Sequence, residues 1–97
     1  TSIPLDYDFV LPHIYPIRVA GLTVDRRENI RKRMLEVGIQ TGFHYKPNHH
    51  LSFFADQKAT PFPVAETLYP ELMTLPLHPD MSDMDVETAI ASLLLFL

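Results

Sequence analysis

The run "TGFHYKPNHHLSFF", Thr41 to Phe54, sets His44, His49 and His50 beside Tyr45 and Lys46, with Phe43, Phe53 and Phe54 interleaved. Imidazoles can ligate a metal or exchange protons near neutral pH. A phenol can hydrogen-bond a hydroxyl or phosphate, and an ammonium can pair with an anion. The stretch therefore admits a metal site, a ligand-contacting loop or plain aromatic packing.

Spacing argues against metal. Two adjacent histidines on an extended chain point to opposite sides, so His49 and His50 are not expected to share one ion, and only one of them could join His44. The nearest carboxylate, Asp56, completes no third ligand at motif spacing. The chain has no cysteine, which removes disulfides, thiolate zinc sites and cysteine nucleophiles together and fits a reducing compartment. Gly21, Gly38 and Gly42 are its only glycines, and none belongs to a phosphate-cradling loop. Ser2, Ser52, Ser82 and Ser92 lack the context of a nucleophile elbow. What remains is a polar-aromatic loop that either contacts a ligand or packs through Phe43 and Tyr45 with its polar groups solvated.

The elements around the loop are readable from their periods. "HIYPIRVAG" alternates, putting Tyr15, Ile17 and Val19 on one face of a half-buried strand. Pro16 cannot donate to a ladder, so that strand is expected to be an edge or to pair only on the side where that donor is not needed. "DRRENIRKRMLEVG" reads as an amphipathic helix: Asp25 is the expected N-cap with Glu28 three residues on, and Gly38 is the left-handed stop. Ile30, Met34, Leu35 and Val37 form its apolar stripe, the charges taking the solvated face.

"IQTGFHY" is expected to form a second strand ended by Pro47, followed by a long loop to about Pro61. In "VAETLYPEL", Val64, Leu68 and Leu72 recur at helical spacing, with Pro63 suited to the first turn and Pro70 forcing a kink or an end near Tyr69. "MTLPLH" gives a third strand with Met73, Leu75 and Leu77 on one face. Ser82 caps a last helix whose early acids Asp83 and Asp85 suit the dipole, and whose Val86, Ile90, Leu93, Leu94 and Leu97 share a side. The predicted fold is an α/β two-layer sandwich: a small mixed sheet of about three strands with three helices packed on it.

At 97 residues, 46% hydrophobic and 21% charged, the chain fits a single domain with one core. A net charge of −4 argues against nucleic acid as a partner. The basic residues Arg26, Arg27, Arg31, Lys32 and Arg33 are interleaved with Asp25, Glu28 and Glu36, as on a solvated helix face. The final "ASLLLFL" is far short of the ~20 residues of a membrane span, and no signal peptide precedes the first core segment. The start at Thr1 and the apolar end at Leu97 suggest a piece of a longer chain.

Four markers in register carry a family resemblance. They are the opening strand with His13 and Tyr15; the glycine-ended helix leading into "GIQTGFHYKPNHH"; "FPVAE"; and "LPLHP" before an acid-rich helix start. Over about Pro12 to Leu97 the chain resembles the C-terminal small domain of the DegT/DnrJ group of nucleotide-sugar aminotransferases, fold-type-I enzymes dependent on pyridoxal phosphate.

That resemblance implies an enzyme moving an amino group, usually from glutamate, to a nucleotide-linked keto-sugar for polysaccharide or antibiotic sugar biosynthesis. It implies a cytoplasmic homodimer in which the Schiff-base lysine and the cofactor-binding residues belong to a large N-terminal domain. Lys32, Lys46 and Lys58 match no catalytic position, so no catalytic and no cofactor-binding residue is expected here, and residues 1–97 alone should be inactive. His44, Tyr45 and His50 match the family motif and are the expected substrate-side contacts. His49 departs from a position more often apolar in the family, and Pro70 interrupts a helix usually free of proline. A domain built to pack on a larger partner should also expose an apolar patch around Phe53, Phe54 and Phe62 or the leucines near Leu95. The competing reading is a stand-alone two-layer α/β module that binds a small ligand or dimerises.

Overall fold

The computed structural model describes Asp6, residues 8–54 and residues 62–97. Strand β1 (Tyr15–Arg18) is followed by helix α1 (Val24–Glu36), two short 3-10 turns at Asn48–His50 and Ser52–Phe54, helix α2 (Pro63–Leu68), a further 3-10 turn (Tyr69–Glu71), strand β2 (Leu72–Leu75) and helix α3 (Asp83–Phe96).

The two strands pair antiparallel, Tyr15 opposite Leu75 and Ile17 opposite Met73. The sheet is thus two-stranded and antiparallel among the described residues, smaller than the three-stranded mixed sheet expected. The segment predicted as a middle strand contributes one isolated bridge, Gly42 opposite Thr74, with hydrogen bonds in both directions at 3.0 and 2.8 Å. Thr41 next to it is buried, and its carbonyl accepts from Arg31 of α1 rather than from a strand. After Gly42 the chain turns out toward the loop. β1 pairs on one side only, with β2, which suits the missing donor of Pro16.

Helix α1 starts earlier than the predicted cap. Thr23, with extended backbone, is the N-cap, and its Oγ1 accepts from the Arg26 N–H at 3.2 Å; Asp25 sits in the first turn. Gly38 adopts φ +85°, the left-handed conformation that a side chain would resist, and closes the helix as expected. The buried face differs from the predicted stripe. Ile30 and Met34 are inside, Leu35 and Val37 are exposed, and the remaining inward position is taken by Arg27, which is wholly buried. Positions 27, 30 and 34 are one helical face, so the charged residue completes the stripe.

Pro70 acts as its geometry demands: α2 stops at Leu68, and Pro70 falls within the 3-10 turn that follows. Leu72 belongs to β2 and not to the helix. Ser82 caps α3 with a reciprocal box, its hydroxyl accepting from the Asp85 N–H at 3.1 Å and the Asp85 carboxylate accepting from the Ser82 N–H at 2.9 Å.

The core gathers Leu22, Ile30, Met34, Ile39, Met73, Ala89 and Leu93, with Ile17, Val19, Leu75 and Phe96 against it. Met34 and Met73 are fully buried, each worth roughly 1.5–3 kcal/mol of transfer free energy. On α3 the buried face is Ala89 and Leu93 with Phe96, so the stripe expected at Val86, Ile90, Leu94 and Leu97 faces outward except for Leu93. Phe53 and Leu95 are also exposed, at 86% and 76%. Phe54 is only half-buried, and Phe62 is 43% exposed.

Candidate functional site

The polar-aromatic loop is anchored at both ends by side chains from other elements. At its start, Phe43 lies against a cationic floor supplied by α1. The Arg27 guanidinium carbon is 4.6 Å from the Phe43 ring centre and 4.5 Å from that of Tyr69, and Arg31 lies 5.0 Å from Phe43. Desolvated guanidinium–ring contacts of this kind contribute about 1–2 kcal/mol each. Arg27 Nη1 donates to the Tyr69 carbonyl and, at 3.4 Å, to that of Leu72. Glu28 bridges Arg27 and Arg31 at 3.2 and 2.6 Å. The aromatic and cationic residues are thus one packed unit, in which Phe43 meets Tyr69 edge-on at 5.7 Å.

Next along the loop, His44 places Nδ1 2.8 Å from the Thr74 hydroxyl of β2. This contact fixes the ring plane. Tyr45 packs edge-on against His44 at 4.7 Å, yet it is 72% exposed. Lys46 beyond it is exposed.

Farther on, Asn48–His50 winds a single 3-10 turn, closed by the His50 N–H donating to the Pro47 carbonyl at 2.9 Å. The turn overturns the geometric premise that separated His49 from His50. On an extended chain adjacent side chains diverge, but here the two rings are 4.5 Å apart. Both Nε2 atoms reach Oε1 of Glu66 on α2. His49, followed by His50, holds the Glu66 carboxyl below its ordinary range by hydrogen bonding to its charged form. Phe62 backs the His49 ring at 4.7 Å, and Tyr69 meets His50 edge-on at 5.5 Å.

The loop that the sequence singled out is therefore one surface, but its residues divide. His44 and Tyr45 project beside β2, while His49 and His50 are tied to α2. Thr74, Glu66 and Arg27 were not foreseen as part of it. Thr74 and Glu66 carry no local signal, whereas Arg27 is detectable only by its helical register with Ile30 and Met34. Asp56 and Lys58 lie outside the described residues.

A second polar anchor lies at the far end of β1. Glu71 is 9% exposed and accepts from the Gly21 N–H at 2.7 Å and from Arg18 Nε at 2.6 Å. The Gly21 N–H foremost, then Arg18, keeps its carboxyl below the ordinary range.

Lys32 and Lys46 are both exposed, and the buried carboxylate of Glu71 is committed to Gly21 and Arg18. No helix among the described residues is long and apolar enough to cross a membrane.

The described residues thus form a small α/β unit with exposed apolar residues on α3 and a loop whose histidines are oriented by Thr74 and Glu66. The chain belongs to the DegT/DnrJ/EryC1/StrS aminotransferase family, whose pattern matches residues 4–94. It is 36% identical over 75 residues to the erythromycin biosynthesis sensory transduction protein EryC1 of Saccharopolyspora erythraea, a match covering 74% of this chain and 20% of that protein. It is 30% identical over 79 residues to a dTDP-3-amino-3,6-dideoxy-alpha-D-galactopyranose transaminase of Aneurinibacillus thermoaerophilus, covering 80% of this chain and 20% of that one. Among solved structures it superposes on Spr1654 from Streptococcus pneumoniae in its PMP form with a TM-score of 0.81 at 30% identity, over 87% of this chain and 22% of that one; the PLP form gives 0.75. The chain thus spans about one fifth of the length of the relatives it matches.

Proposed function

We propose that these residues are the C-terminal small domain of a pyridoxal-phosphate-dependent aminotransferase that passes an amino group, usually from glutamate, to a nucleotide-linked keto-sugar. The observation that carries this reading is the family match across residues 4–94, which includes the whole polar-aromatic loop. The transaminase from Aneurinibacillus acts on a dTDP-linked amino sugar by its name, and Spr1654 is known in PMP and PLP forms. Both support the substrate class and the cofactor. The cofactor, when bound, supplies the electron sink for amino-group transfer. In this reading it is held by a large N-terminal domain of the same enzyme, which acts in the cytoplasm as a homodimer, and residues 1–97 alone form one inactive domain.

This domain's own contribution is positioning. His44, oriented by Thr74, and the exposed Tyr45 hydroxyl present donors and acceptors to hydroxyl or phosphate groups of the sugar nucleotide. His50 closes the far side of the same surface. The exposed leucines of α3 and Phe53 lie against the rest of the enzyme, consistent with their exposure in the isolated domain. The test is made on the full-length chain: it should carry a yellow cofactor absorption band and aminate a nucleotide-linked keto-sugar only when glutamate is supplied. An intact protein that binds no pyridoxal phosphate would overturn the reading.

A further inference from the structure

From the same loop, the geometry points to a divalent transition-metal site formed by His49, His50 and Glu66, with zinc as the ion its donors fit. Among the described residues this is the one group whose ligand atoms, two imidazole nitrogens and a carboxylate oxygen, lie within 4.8 Å of one another. Two nitrogens and one oxygen are the donor set of an open three-ligand zinc site, the fourth position being left to water or a ligand. A tetrahedral ion with bonds of about 2.0–2.1 Å separates its ligand atoms by roughly 3.4 Å. The ligand atoms, all within 4.8 Å of one another, have to close by at most about 1.4 Å, within reach of small χ rotations of surface side chains.

Three further observations favour an ion over a plain hydrogen-bonded cluster. Both imidazoles converge on the same carboxylate oxygen, Oε1, when a second oxygen is available on Glu66. The 3-10 turn brings adjacent side chains together that would otherwise diverge. The rings are backed by Phe62 and Tyr69, which limits their freedom, while their side chains stay 24% and 27% exposed, enough to admit an ion from solvent. Binding replaces the Nε2 protons by the metal, so each imidazole ligates as the neutral Nδ1–H tautomer and any proton held in excess of that is released. The ion takes the Nε2 atom through which His50 would otherwise meet a sugar nucleotide, so the two uses exclude each other at that atom. The site does not depend on the aminotransfer reading.

The experiment uses tag-free, chelator-stripped full-length chain with its cofactor content held equal across variants. Zn2+ is titrated by calorimetry, and Cu2+ is added separately for electron paramagnetic resonance. One Zn2+ per chain is expected with a Kd of about 1 μM, weakened at least about tenfold in His49→Leu and in Glu66→Gln, as loss of one of three ligands requires. Bound Cu2+ should show coupling to two imidazole nitrogens in the wild type and to one in His49→Leu. His49→Leu tests the ligand without disturbing the core, since His49 lies on the surface of the turn. Absence of one-to-one zinc binding, or an affinity in both variants equal to that of the wild type, overturns the site.

Discussion

Arg27 of α1 lies with its guanidinium carbon 4.5 Å from the ring centre of Tyr69 and donates through Nη1 to the carbonyl of that same residue. One side chain thus satisfies both the face and the backbone of the turn that joins α2 to β2. It also carries Phe43 on its other flank, at 4.6 Å. A fully buried cation in a chain this small is tolerated because it is covered by aromatic faces, hydrogen-bonded to carbonyls and paired with Glu28.

Removing that side chain should be costly in a way that its charge alone does not explain. Arg27→Met keeps much of the volume but leaves the Tyr69 and Leu72 carbonyls without their donor and forfeits two ring contacts. A loss of about 3 kcal/mol in urea unfolding is expected. Arg27→Lys should recover less than half, because an ammonium lacks the planar fork that stacks and donates at once. A cost below about 1 kcal/mol for the methionine variant would show that the guanidinium is incidental to the fold.

Glu71 ties the Gly21 turn and Arg18 to the start of β2, and its carboxyl is held below its ordinary 4.5. The unfolded chain therefore binds a proton more readily than the folded one. The contribution is present above pH 4.5 and is lost as pH falls through the lower folded value. Glu71→Gln should destabilise the chain at neutral pH and flatten the fall of Tm with acidification below that point. An unchanged acid limb in the glutamine variant would remove Glu71 from the account.

Much of this framework was legible because it depends on local backbone chemistry. Gly38 must be left-handed, Pro70 cannot continue a helix, and Ser82 with Asp85 makes a reciprocal cap whatever the rest of the chain does. The misplacements arise where tertiary packing chooses among local options. Helix α3 has apolar residues almost all round in its second half, so its period could not select Ala89, Leu93 and Phe96 over Ile90, Leu94 and Leu97. The middle strand shrank to one bridge because Thr41 and Phe43 were claimed by the arginines of α1. His49 and His50 were separated on the assumption of extended backbone, and a single 3-10 turn joined them to a glutamate sixteen residues past His50. The loop itself stood out by composition, but its partners Thr74 and Glu66 come from elements whose sequence gives no hint of the contact.

The Ser82–Asp85 cap offers an independent measure of how α3 is held. Ser82→Ala should cost about 1 kcal/mol. The Ser82 backbone N–H, and then its hydroxyl hydrogen bond, keep the Asp85 carboxyl below its ordinary 3.8. Stability from this source is present above pH 3.8 and declines as pH drops through the folded value. Asp85→Asn should remove that acid-sensitive part while leaving the hydroxyl cap in place. Identical acid unfolding profiles for wild type and Asp85→Asn would count against the reciprocal cap as a contributor.

The proposed role of His44 and Tyr45 makes the sharpest functional prediction, because one residue would act directly and another only through its neighbour. In the full-length enzyme, Tyr45→Phe removes a single hydroxyl from an exposed ring and should raise KM for the sugar nucleotide roughly tenfold, the equivalent of one good hydrogen bond, with kcat within about twofold. Thr74→Val is nearly isosteric and touches no substrate; it frees the His44 ring that the threonine hydroxyl holds at 2.8 Å. It should raise the same KM by a smaller factor, since the His44 ring loses the contact that holds its orientation. The KM for glutamate should not move in either variant if these residues serve only the sugar-nucleotide half-reaction. Equal changes in both KM values would point to a general distortion of the domain, and no change in either would remove the loop from substrate recognition.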